Sequence, residues 1–212
     1  MIFQDRTDAG VRLAEALQQY RGQDVIVYAL PRGGVVLGVQ VARSLGAPLD
    51  LIVVRKIGHP CNPEYAIAAV ADDGHLRRNG LEAIAIDKAW FDEARRTQQI
   101  EACRRRDLYL AGHAPLKADG KIAILVDDGL ATGLSMALAI GEVRHRHPSK
   151  VVVAVPVAPL ETIQELREAV DNIVVLHVPD HGFQAIGEFY LDFPQLSDAE
   201  VVSFLRTGSM LK

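Results

Sequence analysis

Residues Ile122 to Ala137 read Ile-Ala-Ile-Leu-Val-Asp-Asp-Gly-Leu-Ala-Thr-Gly-Leu-Ser-Met-Ala. The apolar run Ile122–Val126 ends at two adjacent carboxylates, and a loop containing glycine then leads into residues that favour a helix. A short run rich in Ile and Val, without polar alternation, is typical of a parallel strand buried on both faces. This order of strand, loop and helix is the repeating unit of an α/β sheet, so the stretch predicts that fold class.

The loop after the two carboxylates has the residue types that bind an anion. Its glycines let backbone N–H groups approach closely, and the helix start adds N–H donors that have no partner within the helix. The hydroxyls of Thr132 and Ser135 can also donate. Asp127 and Asp128 can accept from sugar hydroxyls, so the segment predicts a site for a phosphorylated ribose. The alternative is an ordinary strand-to-helix turn whose Asp and Thr only cap the helix.

Strand-like and helix-like runs alternate along the rest of the chain and predict an α/β, mainly parallel, doubly wound sheet with helices on both faces. The strand-like runs are residues 25–30, 49–54, 66–70, 122–126, 151–155 and 173–178. The helix-like runs are residues 7–20, 35–45, 87–110, 132–145 and 160–170, and the capping pattern Ser197-Asp198-Ala199-Glu200 predicts a last helix. Residues 66–76 are predicted to form a hairpin that turns at Asp72-Asp73-Gly74.

Two further segments follow predicted strands directly and have a similar chemistry. Pro31-Arg32-Gly33-Gly34 comes after the run 25–30, and Arg55-Lys56 comes after the run 49–54. Their cations suit phosphate oxygens, Arg32 above all because its guanidinium is planar. Residues 57–65, with one glycine and two prolines, predict a long loop. Because ligands of parallel sheets bind at the carboxyl ends of the strands, all three motifs are expected to meet at one edge.

These segments together resemble the type I phosphoribosyltransferases, whose signature is an apolar strand, an acidic pair and a loop ending in Thr-Gly. The resemblance implies that Asp127 and Asp128 hold the ribose hydroxyls. It implies that the 5-phosphate is bound by Gly129, Leu130, Ala131, Thr132, Gly133 and Ser135. By the same resemblance, Arg32, Gly33 and Gly34 form a pyrophosphate loop. The family often has a non-proline cis peptide bond in this loop. Arg55 and Lys56 would neutralise the remaining diphosphate charge.

The resemblance also implies a mobile loop, at about residues 56–75, and a small hood subdomain that recognises the base, at about residues 180–212. Glu64-Tyr65 is similar to a Glu-Tyr pair in adenine phosphoribosyltransferases, where the Glu assists the base; a solvated loop carboxylate is the equal alternative. Phe189 and Tyr190 are the candidates for stacking on the base, and simple packing is the alternative for both.

The reaction that the resemblance implies is transfer of a 5-phosphoribosyl group from phosphoribosyl diphosphate to a nitrogenous base, with release of pyrophosphate. Mg²⁺ would bind through the diphosphate and through waters oriented by Asp127 and Asp128. Ala131 replaces the acidic residue that hypoxanthine-guanine enzymes have before Thr-Gly, which disfavours a 6-oxopurine. Two alternatives stay open: a regulator of the same fold that binds phosphoribosyl diphosphate or a nucleotide without turnover, and a metal-dependent phosphohydrolase that uses the acidic pair.

Composition narrows the remaining classes. The 212 residues are expected to form one domain, and the net charge of −4 argues against a broad nucleic-acid surface. No apolar run approaches the length of a membrane span, and no signal peptide is indicated. Cys61 and Cys103 are expected to be free thiols in a reducing cytoplasm. Arg104-Arg105-Arg106 is interpreted as a solvated helix face, with a subunit contact as the alternative, and the resemblance implies a homodimer. The glycine patterns of dehydrogenases and of P-loop enzymes are both missing.

Overall fold

The computed structural model describes residues 1–78, 86–111, 114–180 and 182–207. The strands within these ranges are β1 Val25–Ala29, β2 Leu49–Leu51, β3 Val54–His59, β4 Asn62–Ala71, β5 Leu76–Arg78, β6 Ile122–Val126, β7 Lys150–Val157 and β8 Asn172–His177. The α-helices are α1 Arg6–Ala16, α2 Gly33–Leu45, α3 Lys88–Leu110, α4 Leu134–Arg144, α5 Leu160–Arg167 and α6 Asp198–Thr207. Two short 3₁₀ helices, Gln18–Tyr20 and Ile186–Phe189, complete the described elements.

Five strands form one parallel sheet in the order β2-β1-β6-β7-β8. The chain runs from β1 outward to β2 and returns to place β6 on the other side of β1, so the strand order reverses between β1 and β6. In an open α/β sheet, a reversal of this kind leaves a crevice beyond the carboxyl ends of the two strands. The fold therefore directs attention to the turns that follow β1 and β6.

Helices cover both faces of this sheet, as expected for strands that are buried on each side. Alternate side chains of β1 and β6 enter opposite cores: Val27 and Ile124 pack with α1 and α2, whereas Tyr28 and Leu125 pack with α4 and α5. All five residues of β6 are buried. The α/β fold with a mainly parallel, doubly wound sheet is thus confirmed.

A second, smaller sheet has the order β3-β4-β5 and is antiparallel throughout. It has its own apolar cluster, in which Ile57, Ile67, Val70 and Phe91 are the large buried members. Phe91 comes from α3, so this helix closes one face of the small sheet. The small sheet and α3 together form a unit beside the parallel sheet.

The small sheet corrects two predictions. The run 49–54 was expected to be one strand, but β2 ends at Leu51 and β3 begins at Val54 in the other sheet. Residues 57–65 were expected to be a loop, but they belong to the β3–β4 hairpin, where the register shifts on both sides of Gly58. A Cβ atom on Gly58 would lie 2.1 Å from the carbonyl oxygen of Pro63, so a glycine is needed for the two strands to approach this closely. In the sequence, the same glycine and the prolines had indicated a loop. The predicted hairpin over residues 66–76 is confirmed, with its turn between Ala71 and Leu76.

The C-terminal segment packs onto the parallel sheet unit. Tyr190, Leu196, Val201 and Leu205 are buried in the same core as α1 and α2. Ser197 and Glu200 form the predicted capping box at the start of α6: the Glu200 N–H donates to the Ser197 hydroxyl at 3.3 Å, and the Ser197 N–H donates to the Glu200 carboxylate at 2.7 Å. The segment expected to form a hood, residues 180–212, is described except for residues 181 and 208–212.

Candidate functional site

A cavity of about 340 Å³ opens at the crevice between β1 and β6. Its walls come from the turn after β1, the turn after β6, the start of β3, and single residues of α3 and the C-terminal segment. The lining residues are Leu30–Gly33, Val54–Lys56, Arg105, Asp127–Met136 and Ile186. The three sequence motifs therefore meet at one site, as predicted, although Arg55 and Lys56 reach it from β3 of the small sheet and not from a loop after a parallel strand.

The two carboxylates in this cavity differ in their surroundings. The N–H of Asp128 donates to Oδ1 of Asp127 at 2.9 Å, and Nε of Arg6 donates to Oδ2 of Asp128 at 2.8 Å. Burial raises the pKa of Asp127 well above its usual range, and the charge of Asp128 raises it further. Burial also raises the pKa of Asp128, but Arg6 opposes that rise. The two acids therefore differ: Arg6 favours the ionised form of Asp128, whereas burial and the neighbouring charge favour the protonated form of Asp127.

Gly33 and Gly34 allow the first turn of α2 to approach this acidic pair. A Cβ atom on Gly33 would lie 1.8 Å from Oδ2 of Asp128, and a Cβ atom on Gly34 would lie 2.7 Å from the carbonyl oxygen of Val126. The N-terminus of α2, with the positive end of its dipole, therefore faces the carboxylates. The Pro31–Arg32 peptide bond is cis, in the loop where the resemblance implied such a bond. Close packing against the acidic pair thus requires both glycines.

The loop after the acidic pair wraps around the start of α4. Gly133 has φ +65°, a conformation that favours glycine, and precedes Leu134, the first residue of the helix. Thr132 is exposed and Ser135 half-buried, and both line the cavity. Leu130 is an exception among the predicted phosphate ligands, because its N–H donates to the carbonyl oxygen of Val157 at 2.9 Å and is not free for an anion.

A cluster of cations faces the acidic pair. Arg32, Arg55 and Lys56 line the cavity as expected, and Arg105 of α3 joins them. The guanidinium of Arg55 donates to Oε1 of Gln98 at 3.0 Å. Burial lowers the pKa of Arg55, and the positive charge of Arg105 lowers it further. Like charges gathered in this way favour a multiply charged anion between them.

The structure corrects the interpretation of Arg104–Arg106 as a solvated face. Only Arg104 of the three is exposed. Arg105 pairs with Glu101 at 2.7 Å and reaches the cavity. Arg106 is buried and donates to the carbonyl oxygen of Leu51 at 3.1 Å, since α3 lies against the junction of the two sheets.

Phe189 and Tyr190 are not among the residues that line the cavity. Tyr190 is buried, its ring stacks on Phe193 with centroids 4.6 Å apart, and its hydroxyl donates to the carbonyl oxygen of Asp128 at 2.6 Å. Phe189 stacks on Phe183 at 5.7 Å. The Tyr190 hydroxyl thus holds the backbone of Asp128, and its buried ring is not exposed for stacking on a base. Ile186, from the same segment, is the residue that reaches the cavity.

Glu64 lies on β4, but its side chain is outside what the structure describes, so its role stays a prediction. Sequence reasoning missed Arg6, Arg105 and Ile186. Arg6 is 122 residues from its partner Asp128, and no local pattern links the two. Arg105 could have been distinguished from its neighbours only by its helical phase relative to a partner element that the sequence did not identify.

The acidic pair offers carboxylate oxygens of the kind that a divalent cation prefers. Among the described residues, Asp127 has no ion-pair partner, whereas Asp128 has Arg6. Oxygen ligands beside a phosphate site are what Mg²⁺ prefers. A separate group, Asp73, His75 and Glu142, could also hold a metal ion, but none of the three lines the cavity. In that group, Nδ1 of His75 lies within hydrogen-bond distance of both carboxylates, at 2.6 Å from Asp73 and 3.1 Å from Glu142.

Both cysteines among the described residues are free thiols; Cys61 is exposed and Cys103 is half-buried. Within the same ranges, none of the helices combines the length and the apolar character needed to cross a membrane.

Comparison with known proteins gives a consistent result. The family model described as "Phosphoribosyl transferase domain" matches residues 6–188. Two curated relatives from Mycobacterium tuberculosis, strains CDC 1551 / Oshkosh and ATCC 25618 / H37Rv, are each 42% identical over 206 residues. They are named "Putative phosphoribosyl transferase MT0597" and "Putative phosphoribosyl transferase Rv0571c". The match covers 96% of this chain but 46% of each relative, so the chain spans about half the length of the relatives it matches.

Two solved structures match the fold over most of the chain. The crystal structure of TT1426 from Thermus thermophilus superposes with a TM-score of 0.80 and 40% identity, covering 97% of this chain and 98% of the other. The AQ2163 protein from Aquifex aeolicus superposes with a TM-score of 0.52 and 15% identity, covering 82% and 74%. At that identity the second match shows the fold alone.

Proposed function

The chain belongs to the phosphoribosyl transferase domain family, and on that premise we propose that it transfers a 5-phosphoribosyl group from phosphoribosyl diphosphate to a nitrogenous base. Pyrophosphate is the second product. The observation that carries the proposal is the meeting, in one cavity, of a loop suited to a phosphate, an acidic pair and a cluster of cations. A phosphorylated sugar that bears a diphosphate has a complementary group for each of them: a phosphate for the loop, hydroxyls for the acidic pair and a diphosphate for the cations.

The loop Gly129–Ser135 would bind the 5-phosphate. The first N–H groups of α4 have no partner within the helix and offer donors to an anion. The hydroxyls of Thr132 and Ser135 add donors that can rotate toward it. Because the Leu130 N–H already donates to the carbonyl oxygen of Val157, Leu130 lines the cavity but supplies no hydrogen-bond donor to the phosphate.

The acidic pair would accept hydrogen bonds from the ribose 2- and 3-hydroxyls. Asp127 and Asp128 lie directly before the phosphate loop, so one turn of chain fixes both ends of the sugar phosphate. Fixing the sugar in this way lowers the entropic part of the activation barrier, because the sugar is already held in position before the reaction.

Arg32, Arg55, Lys56 and Arg105 would bind the diphosphate. The bond between the anomeric carbon and the diphosphate oxygen breaks, and its electron pair leaves with pyrophosphate. A lone pair on a nitrogen of the acceptor forms the new bond to the anomeric carbon. The acceptor nitrogen then loses its proton to solvent or to a nearby proton acceptor. Cations fixed around the departing oxygens stabilise the charge that develops there. No protein nucleophile is required.

The acidic pair would hold Mg²⁺ through ordered waters while the diphosphate supplies the direct ligands. When bound, the ion neutralises charge on the leaving group and helps to fix its orientation.

The acceptor would lie near Ala131 and Ile186. Both lining side chains are hydrocarbons, so they supply contact area and no hydrogen bond. The Ala131 methyl occupies the position at which hypoxanthine-guanine enzymes have an acidic side chain. We therefore expect bases other than 6-oxopurines to be preferred.

The test is release of pyrophosphate from phosphoribosyl diphosphate, with Mg²⁺, over a panel of purine and pyrimidine bases. Release that depends on one base supports the transferase. Binding of phosphoribosyl diphosphate without turnover for any base would favour a regulator, and phosphate release from simple monoesters without a base would favour a phosphohydrolase.

The ribose site has a test of its own. Asp128→Asn should weaken phosphoribosyl diphosphate binding without unfolding the protein, as circular dichroism would check; full affinity in that variant would refute the assigned ribose site. For the assembly we propose a homodimer, which sedimentation equilibrium would check.

A further inference from the structure

We propose that Arg6 is a positioning residue for Asp128, and that it holds this carboxylate in the orientation needed to accept a ribose hydroxyl. The inference rests on the proposed function and adds a residue outside the cavity to it. Arg6 is the first residue of α1 and does not belong to the set of described residues that line the cavity. It would therefore act through Asp128 and not on the substrate.

The guanidinium of Arg6 is fixed from three directions. Its Nε donates to Oδ2 of Asp128 at 2.8 Å, and its Nη1 donates to the carbonyl oxygen of Pro194 at 2.8 Å. Its central carbon lies 3.7 Å from the centroid of the Phe193 ring, a distance suited to a cation–π interaction. An arginine held in this way has lost most of its rotational freedom before any ligand arrives.

These contacts leave few orientations for the Asp128 side chain. Oδ2 points toward Arg6 and into the space that the missing Cβ of Gly33 leaves open. Arg6 thus fixes which carboxylate oxygen faces α1 and α2, and Oδ1 is the oxygen that Arg6 does not engage. The Tyr190 hydroxyl holds the backbone of the same residue through the Asp128 carbonyl oxygen at 2.6 Å. Side chain and backbone of Asp128 are thus anchored independently.

The role of Arg6 goes beyond simple packing, because its bond to Asp128 is a charged one in a nearly closed space. The side chains of Arg6 and Asp128 are 11% and 14% exposed. Without the guanidinium, Asp128 would be free to rotate away from the cavity. A displacement of about 1 Å in such a group can cost on the order of 100-fold in rate.

The experiment compares Arg6→Gln and Arg6→Lys with Arg12→Gln. Arg12 lies on the same helix and pairs with Asp8 at 2.9 Å, but it is exposed and remote from the acidic pair, so its variant controls for loss of an arginine and an ion pair from α1. The dissociation constants of ribose 5-phosphate and of inorganic pyrophosphate are measured by calorimetry for each protein. Ribose 5-phosphate reports on the acidic pair, and pyrophosphate reports on the cations.

We expect Arg6→Gln to weaken ribose 5-phosphate binding by about 10-fold or more, by analogy with the loss of other residues that orient a ligand-binding group. Pyrophosphate binding should change by less than about twofold, and Arg12→Gln should change neither. Arg6→Lys should recover part of the loss, because the ammonium group still attracts Oδ2. A variant that only loosened the fold would weaken both ligands and would not be rescued by lysine.

The double variant Arg6→Gln/Asp128→Asn settles whether the two residues act together. If Arg6 works through Asp128, the double variant binds ribose 5-phosphate as weakly as Asp128→Asn alone. Additive losses, or unchanged ribose 5-phosphate binding in Arg6→Gln, would overturn the inference while leaving the proposed function in place. If the wild-type protein bound neither ligand, the proposed function itself would fail.

Discussion

The wall of the cavity formed by the parallel sheet and the wall formed by the small sheet differ in how their groups are held. On the first wall, the acidic pair and the phosphate loop are turns of backbone between buried strands and helix starts, packed so tightly that Gly33 has no space for a methyl group. On the second wall, Arg55 and Lys56 extend from β3, and Arg105 extends from α3. Apart from Arg32, which follows β1, the first wall therefore presents fixed backbone and short side chains, whereas the second presents long side chains.

This difference suits the two halves of the proposed substrate. A ribose phosphate has directional hydroxyls and one phosphoryl group that must be placed accurately, whereas a leaving diphosphate spreads its charge and must be released after each turnover. Long cationic side chains can follow a moving anion, and short anchored groups cannot. Substitutions on the first wall should consequently cost more than substitutions on the second.

The largest effect is expected for Gly33→Ala. A Cβ atom would lie 1.8 Å from Oδ2 of Asp128, so either the carboxylate or the start of α2 must shift. We expect activity to fall by about 100-fold or more, and the free energy of unfolding to fall by about 1–3 kcal/mol. Steady-state kinetics and urea denaturation measure the two effects.

Gly141→Ala is the matched control for that substitution. Gly141 lies inside α4, and a Cβ atom there would meet no heavy atom within 4 Å. We expect this variant to gain about 0.5–1 kcal/mol of stability with unchanged activity. Similar activity in both glycine variants would show that the first wall is not closely fitted.

On the second wall, Arg105→Ala should weaken pyrophosphate binding by about 10-fold, the effect of losing one charged hydrogen bond. Arg104→Ala is the comparison, since Arg104 precedes it on α3 and pairs with the same Glu101 at 2.7 Å but is exposed and does not line the cavity. We expect the second variant to change binding by less than about twofold. Equal losses in both variants would mean that Arg105 contributes only general positive charge. Calorimetry with inorganic pyrophosphate makes the measurement.

Tyr190→Phe tests the support of the first wall. The variant removes the hydrogen bond from the Tyr190 hydroxyl to the Asp128 carbonyl oxygen, which should cost about 1 kcal/mol in the free energy of unfolding. Because the ring is buried, the order of preference among acceptor bases should stay the same. A changed order of preference at unchanged stability would restore Tyr190 as a residue that contacts the base.

The smallest effect is expected where the two units are linked. His75, in the turn before β5 of the small sheet, lies within hydrogen-bond distance of Asp73 in the same turn and of Glu142 on α4. The hydrogen bond from Asp73 raises the pKa of His75 above its usual value of 6.5. A raised histidine pKa stabilises the folded state fully below the unfolded pKa, and the stabilisation is lost as the pH rises through the folded pKa.

The His75→Asn variant should therefore be less stable than the wild type by a few tenths of a kcal/mol at pH 5.5, as is typical of an exposed ion pair. The difference should shrink by pH 8.5. Urea denaturation at both pH values gives the comparison. When Asp73→Asn is compared with the double variant Asp73→Asn/His75→Asn, the pH dependence of the difference should be smaller. A difference that grew with pH would mean that His75 is neutral in the folded protein.

The parts of the site that could be predicted are those that lie together in the chain. Asp127, Asp128 and the loop to Ser135 form one segment, and Arg32 to Gly34 form another, so each has a local pattern of residue types. The parallel order of the strands then brings the segments together, because the carboxyl ends of parallel strands share an edge.

The parts that could not be predicted depend on long-range contacts or on breaks that the local pattern conceals. Arg6 and Tyr190 reach Asp128 from 122 and 62 residues away. The β3–β4 hairpin was hidden by Gly58 and Pro63, which are typical of loops but lie within paired strands and approach each other closely here.

By itself, the sequence determined the alternation of parallel strands and helices, the acidic pair, and the glycines at the two turns, because hydrophobic periodicity and backbone freedom are properties of neighbouring residues. Only the tertiary structure decided that Arg105 lies in the cavity while Arg104 does not, that Tyr190 supports the acidic pair, and that Arg6 contacts it. Those roles depend on which side chains meet across separate elements. The packing of the two sheets and of α3 sets those meetings, and no local pattern records them.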